Sequence, residues 1–173
     1  GMLGYAAISS STFGQAWRLL LQYPALLGTY FQLELSVEGE LAWLSASDYS
    51  LRDSLEVFNL EMCLASLKLI GEDLLGRPLP LSAARFRHAP PAYVEHYAGS
   101  FACALQFEAP RNGFAFPASL LSQRLPLADP VTNAEMLERC QRLNVEFSNR
   151  QLWLQRVREL LLVNLAEPPS LVQ

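Results

Sequence analysis

The 173-residue chain carries 13 basic and 17 acidic residues, a formal net charge of -4, and 51% of its residues are hydrophobic. This apolar content excludes a disordered chain, and the negative charge argues against DNA binding by this chain alone. The apolar runs are far shorter than the roughly 20 residues needed to cross a membrane. We therefore expect one globular domain, and a start without a secretory signal pattern predicts a cytoplasmic protein.

Cysteines and histidines are few and widely spaced. Cys63, Cys103 and Cys140 lie far apart, and the two histidines, His88 and His96, have no ligand-like neighbours at zinc-site spacing. No glycine-rich phosphate loop, zinc-protease helix motif or nucleophile elbow occurs. The sequence therefore predicts no metal, no cofactor and no catalytic residues, and the protein is not expected to be an enzyme.

The first predicted elements are a helix and a β-hairpin. Thr12 and Gln15 fit a capping box that follows three serines, and the helix should end at Gln22 because a proline follows Tyr23. Residues 30–37 alternate between apolar and polar side chains, which predicts a half-buried strand. Gly39 can then turn the chain so that residues 41–44 form the second arm.

A long helix is predicted over residues 51–75, ended by Gly76 and Pro78. Its apolar residues form two rows at helical spacing, so we expect the helix to be central. The first row is Leu51, Leu55, Phe58, Met62, Ala65 and Leu69, and the second is Val57, Leu60, Leu64, Leu67 and Leu74.

The second half alternates strands and helices. Strands are predicted over residues 81–89 and 101–108, separated by a turn or short helix after Pro90 and Pro91, and Asn112 with Gly113 is expected to form a hairpin turn. That turn would pair residues 114–116 with residues 105–107. Two further helices are expected, one capped by Asp129 and continuing to Phe147, and one over residues 151–165 that ends before Pro168.

These elements predict an α+β fold, in which an antiparallel sheet of hairpins packs with a long central helix and C-terminal helices.

Aromatic residues are concentrated between positions 86 and 116, among arginines and histidines. A core accepts phenylalanines, but tyrosine hydroxyls, guanidinium groups and imidazoles suit the polar anchors of an apolar pocket. The pattern alone leaves open a polar surface rim and a ligand pocket. The residues are Arg85, Phe86, Arg87, His88, Tyr93, His96, Tyr97, Phe101, Phe107, Phe114 and Phe116.

The order of several short motifs resembles the N-terminal effector-binding domain of AraC-family transcription regulators, in the branch that contains the ornithine-utilisation regulators. They are residues 3–6 (LGYA), 86–91 (FRHAPP), 107–117 (FEAPRNGFAFP) and 125–129 (LPLAD). Two positions depart from the family pattern. Ala102 stands where relatives commonly have Gly, and Gly113 stands where they often have Ala.

The resemblance implies a ligand-sensing regulatory domain that binds a small organic effector and forms a homodimer. It further implies that residues 1–147 form the effector-binding and dimerisation domain and that residues 148–173 form a linker helix leading toward a helix-turn-helix module. DNA binding would reside in a helix-turn-helix module beyond Gln173, which effector binding would reposition. A dimerisation scaffold without ligand is the main alternative, and a small-molecule enzyme is the third.

The effector is expected between the long helix and the sheet, with Arg87 or His88 anchoring a carboxylate. Alternation sends Phe86 and His88 to one face and Arg87 to the other, so a buried Phe86 favours His88 as the anchor. The predicted ligand-binding residues are Phe86, Arg87, His88, Tyr93, His96, Tyr97 and Phe107.

The helix over residues 131–147 carries an apolar stripe formed by Met136, Leu137, Cys140 and Leu143. Glutamates and arginines flank this stripe, which predicts that it is the dimer interface. The alternative, that the stripe packs only on its own chain, stays open.

Overall fold

The computed structural model describes residues 1–51 and 53–163. The described part contains helices and one five-stranded sheet, ordered β1-β2-β5-β3-β4, which confirms the predicted α+β class. The elements in chain order are α1 (Met2–Ile8), α2 (Phe13–Gln22), α3 (Pro24–Leu27), β1 (Gln32–Glu38), β2 (Leu41–Ser47), α4 (Glu56–Leu75), β3 (Ala83–Arg85), α5 (Glu95–Phe101), β4 (Ala104–Gln106), β5 (Asn112–Pro117), a 3-10 helix (Ala118–Ser122) and α6 (Pro130–Val163).

Helix α2 follows the capping residue that the sequence predicted. The Thr12 hydroxyl accepts a hydrogen bond from the Gln15 N–H at 3.3 Å, and α2 ends at Gln22 as predicted. Helix α1 was not predicted. The hydroxyls of Ser9 and Ser10 do not cap α2 but donate to carbonyl oxygens of α1, including that of Ala6 at 2.9 Å from Ser10.

The predicted β1–β2 hairpin is confirmed. Gly39 has a φ of 61°, the left-handed conformation that the turn requires, and the strands on either side of it pair antiparallel. On the outer strand β1, Leu33 and Leu35 are half-buried and Val37 is exposed, whereas β2 lies inside the sheet.

Helix α4 begins at Glu56 rather than near residue 51, and Gly76 ends it with a φ of 66°. Only one of its two apolar rows is buried, so the helix covers the core with one side and exposes the other. The buried residues include Leu60, Leu64, Leu67 and Leu74, and the exposed row is 52 to 58% accessible at Leu55, Phe58, Met62 and Leu69.

Helix α2 lies between the sheet and α4. The ring of Phe13 contacts the ring of Phe116 in β5, with centroids 5.5 Å apart. A Cβ placed on Gly71 of α4 would lie 3.3 Å from the Trp17 ring, so α4 approaches α2 closely at this glycine.

The predicted hairpin at Asn112 and Gly113 is wrong, because both residues belong to strand β5. This strand pairs antiparallel with β2 and β3, not with β4. Gly113 has a φ of 155°, and a Cβ there would lie 2.4 Å from the carbonyl oxygen of Leu44. The glycine thus permits a close approach between two strands rather than a turn.

Strands β3 and β4 are shorter than predicted, with three residues each, and they pair parallel. Parallel neighbours need a crossover connection, and here α5 provides it. The predicted short helix after Pro91 is therefore confirmed, but the predicted strand from residue 101 begins three residues later.

The C-terminal part is one helix, α6, and not two. No Gly or Pro occurs between Val131 and Val163, so nothing in the sequence breaks the helix near residue 147. Asp129 caps α6 by accepting hydrogen bonds from the backbone N–H groups of Val131 and Thr132, as predicted. The predicted helix end near residue 165 lies outside the described residues. The predicted domain boundary between residues 147 and 148 stays a prediction. No described helix is long and apolar enough to span a membrane.

Candidate functional site

Four of the predicted ligand-binding residues form one aromatic cluster around Phe86, which follows directly after β3. The Phe86 ring meets the Tyr97 ring edge-on at 4.9 Å between centroids and stacks on the Phe107 ring at 5.3 Å. The His88 ring lies 5.5 Å from that of Phe86. We call Phe86, His88, Tyr97 and Phe107 the aromatic cluster.

The burial of residues 86 to 88 follows the predicted alternation. Phe86 is fully buried, Arg87 is exposed and His88 is half-buried. The backbone N–H of Arg87 donates to the side chain of Asn112 at 2.7 Å. The imidazole Nδ1 of His88 lies 2.8 Å from the carbonyl oxygen of Ala89, while its Nε2 lies 3.4 Å from the Tyr97 hydroxyl.

Glu61 of α4 is a site residue that the sequence reasoning missed. Its oxygen Oε1 accepts hydrogen bonds from the hydroxyls of both Tyr97 and Tyr93, the latter at 3.0 Å. A signal was available, because this charge lies between the two apolar rows of α4. Its partners, however, are 32 and 36 residues away along the chain.

Both tyrosines are held as neutral hydrogen-bond donors. Burial raises the pKa of Tyr97 well above its usual range, and the hydrogen bond to Glu61 raises it further. The pKa of Tyr93 is also raised, first by its hydrogen bond to Glu61. Ionising either phenol beside this carboxylate would place two negative charges together, so the hydroxyls keep their protons at neutral pH.

A cavity of about 250 Å³ lies between α4 and α5, and we call it the α4–α5 cleft. It brings together Tyr93, His96 and Tyr97, whereas Phe86, His88 and Phe107 lie behind Tyr97 and do not line it. Its walls combine aromatic rings with a few polar groups, the usual composition of a ligand site. The lining residues are Phe58, Glu61, Met62, Ala65, Tyr93, His96, Tyr97, Ser100 and Phe101.

A larger cavity of about 580 Å³ lies near the N-terminus, bounded by α1, α3, α4 and α6. It could not be anticipated because α1 was not predicted. Its lining is mainly aliphatic, and Asp73 is the one charged side chain described there. Tyr5 of α1 and Leu143 and Phe147 of α6 also line this N-terminal cleft.

The predicted interface stripe lies partly inside the single chain. Cys140 is fully buried, and burial raises the pKa of its thiol. Met136 and Leu137 pack against the core, and Leu143 lines the N-terminal cleft. Because one chain is described, self-association stays a prediction. Among the described residues, no three His, Cys, Asp or Glu side chains are grouped to hold a metal ion.

Comparison with known proteins identifies a family. A sequence profile described as the arabinose-binding domain of AraC transcription regulators, N-terminal part, matches residues 1–125. The Ornithine utilization regulator of Pseudomonas aeruginosa is 34% identical over 173 residues, which are 100% of this chain and 51% of that protein. The chain thus spans about half the length of this curated relative.

The fold has a counterpart among solved structures. The crystal structure of the transcriptional regulator CdpR from Pseudomonas aeruginosa matches with a TM-score of 0.62 and 18% sequence identity. The match covers 77% of this chain and 44% of that one. At this identity the comparison shows a shared fold.

Proposed function

Because the chain belongs to the family of N-terminal arabinose-binding domains of AraC transcription regulators, we propose that it binds a small organic effector and thereby controls an attached helix-turn-helix module. The family model and the curated relative both describe transcription regulators, which supports a regulatory role. We also propose that it acts in the cytoplasm, where such a regulator meets DNA.

The α4–α5 cleft is the effector site that we propose. One observation supports this choice: aromatic and polar side chains line the same cleft, and Glu61 accepts hydrogen bonds from two of its tyrosine hydroxyls. Apolar walls exclude water, and oriented polar groups then select the ligand. The N-terminal cleft is larger, but among its described lining residues only Tyr5 and Asp73 have polar side chains, whereas the α4–α5 cleft has five such residues.

The sequence-based proposal of a carboxylate effector depends on a cationic partner. Arg87 is exposed and does not line the cleft, so His88 or His96 would have to provide that charge. His96 lines the cleft directly, and the Nε2 of His88 reaches it through the Tyr97 hydroxyl.

Effector binding would act on the attached module through a shift between conformations of the domain. The C-terminal helix α6 is the element that leads toward such a module, and it packs on α1 near the start of the chain. The side-chain amide of Asn133 donates to the carbonyl oxygen of Ala6 at 2.6 Å. We propose that the effector changes the stability of this α1–α6 contact.

Isothermal titration against amino acids, fatty acids and sugars tests the proposed site. We expect saturable binding of one compound class, weakened at least tenfold by Tyr97→Ala and unchanged by Tyr5→Ala, whose residue lines the N-terminal cleft. Loss of binding in Tyr5→Ala alone would move the effector to that cleft. A stable dimer that binds nothing in the panel would favour the scaffold alternative, and turnover of a compound would favour an enzyme.

A further inference from the structure

Glu61 is a half-buried carboxylate without a cationic partner in the described part of the chain. The four ion pairs between described side chains are Lys68–Glu72, Arg111–Glu38, Arg139–Glu135 and Arg142–Glu138. Both tyrosine hydroxyls donate to the same oxygen, Oε1. No donor among the described residues lies within hydrogen-bonding distance of Oε2, so these residues leave its capacity to accept hydrogen bonds unused.

Aromatic residues line the same cleft as this carboxylate. The rings of Tyr93 and Tyr97 are stacked with 6.3 Å between centroids and 21° between planes, and Phe101 lies 6.1 Å from Tyr97. Phe58 forms the wall on α4 and is 57% exposed, so part of this ring is free to contact a ligand. Aromatic faces attract organic cations because the ring quadrupole is negative above the plane.

We propose that the α4–α5 cleft takes an organic amine in its ammonium form, with Glu61 as its ion-pair partner and the aromatic rings as its walls. This inference rests on the proposed function and names the chemical class of the effector. A carboxylate placed in the same cleft would meet the negative charge of Glu61. Arg87 does not line the cleft to offset this charge, and His96 is the one basic side chain among the described lining residues.

The cleft, with a volume of about 250 Å³, leaves room for a small organic amine. In the proposed arrangement the ammonium group lies at Glu61, and a short alkyl chain lies against Met62 and Phe58, which line the cleft. Pentylamine is a probe of this kind.

Isothermal titration with pentylamine and pentanoate at pH 7.5 tests the charge preference, since the two probes share a chain length and differ in the sign of their charge. We expect pentylamine to bind at least tenfold more tightly than pentanoate. Glu61→Gln should weaken pentylamine binding at least tenfold, whereas Glu56→Gln, an exposed position on the same helix, should bind like the parent.

The variant is designed to keep the fold. A glutamine retains a side-chain oxygen that accepts from Tyr93 and Tyr97, and circular dichroism verifies that the helices are preserved. Tyr93→Phe provides a second variant, which keeps the ring as a wall and should retain most of the amine binding.

Three outcomes overturn the inference. The first is pentylamine binding that a folded Glu61→Gln leaves unchanged, and the second is pentanoate binding that is as tight as pentylamine binding or tighter. The third is the absence of saturable pentylamine binding. If the amine fails while an amino acid, fatty acid or sugar binds and responds to Tyr97→Ala, the proposed function stands and only the ligand class is wrong. If no compound binds, both proposals fail.

Discussion

The backbone N–H of Arg87 donates a hydrogen bond to the side-chain oxygen Oδ1 of Asn112 at 2.7 Å. Asn112 is the first residue of β5 and is only 4% exposed. Its amide therefore holds the segment that follows β3 against the middle of the sheet. The same segment carries Phe86 and His88, so this bond helps to fix two members of the aromatic cluster.

Replacing Asn112 by Ala removes the acceptor and leaves a backbone N–H without its partner. We expect a loss of about 1–3 kcal/mol in the free energy of unfolding, measured by urea denaturation. Asn149→Ala is the control, because this asparagine is exposed on α6 and should change stability by no more than about 0.5 kcal/mol. Equal stability of the two variants would mean that the Asn112 bond contributes nothing.

Replacing Gly113 by Ala tests why a glycine stands in a strand. The new Cβ would lie 2.4 Å from the Leu44 carbonyl oxygen, and the φ of 155° is unfavourable for alanine. We expect this substitution to lower the melting temperature strongly. Gly99→Ala, inside α5 with no atom within 4 Å of the new Cβ, should stabilise the chain by about 0.5–1 kcal/mol. A melting temperature unaffected by Gly113→Ala would contradict the close strand approach.

Ala102 allows the reverse substitution, in which glycine replaces an alanine that has a positive φ. It ends α5 with a φ of 49°, a left-handed conformation that costs a non-glycine residue about 1–2 kcal/mol. Gly is the residue that the family resemblance led us to expect at this position. Ala102→Gly should therefore stabilise the chain by about 1 kcal/mol in urea denaturation. Ala98→Gly, an exposed position inside the same helix, should destabilise it instead. A destabilised Ala102→Gly would show that the left-handed conformation carries no strain.

The sequence predicted those features that depend on neighbouring residues. Thr12 and Asp129 cap helices, and Gly76 ends one, because each acts on backbone groups within a few residues. The role of Gly113 depends on Leu44, which lies far away in the chain. The pair Asn112 and Gly113, a combination that often forms hairpin turns, was therefore wrongly assigned to a turn. A local pattern cannot identify a close approach between distant strands.

The same distinction between features set by neighbouring residues and features set by distant ones applies to the candidate site. Tyr93 and Tyr97, which line the α4–α5 cleft, belong to the aromatic segment that the sequence indicated, because they are close together in sequence. Phe58 also lines the cleft but lies on α4, and it was not among the predicted ligand-binding residues. The carboxylate that joins the two tyrosines was missed, because Glu61 belongs to a helix whose periodicity reports burial and not hydrogen bonding. The exposed row of α4 shows a related limit, since apolar periodicity alone does not tell which of two rows is buried.

The tyrosine at the centre of the site should make stability depend on alkaline pH. The pKa of Tyr97 is raised in the folded chain, so the phenol stays protonated to a higher pH than in the unfolded chain. Its contribution to stability is complete below the unfolded pKa of about 10 and is lost as the pH rises beyond it. Between about pH 10 and 11.5, the free energy of unfolding should fall less steeply in Tyr97→Phe than in the parent.

Urea denaturation at a series of pH values measures this difference. Tyr30→Phe serves as the control, because Tyr30 is 48% exposed and does not line the α4–α5 cleft. It should retain the steep fall of the parent. Identical pH profiles for the parent and Tyr97→Phe would show that the buried phenol does not affect stability in this range.

Self-association through α6 is the last prediction, and the structure limits which residues of the predicted stripe can contribute to a dimer interface. Cys140 is buried within its own chain, whereas Leu143 remains half-buried at the edge of the N-terminal cleft. Leu143→Glu places a charge in the apolar stripe, so the mass measured by light scattering should fall from dimer to monomer while circular dichroism stays helical. Val131→Glu is the control, since Val131 is 79% exposed in the first turn of α6, where a negative charge is tolerated. A folded Leu143→Glu with unchanged dimer mass would remove this stripe from the interface, and a monomeric parent would reject self-association altogether.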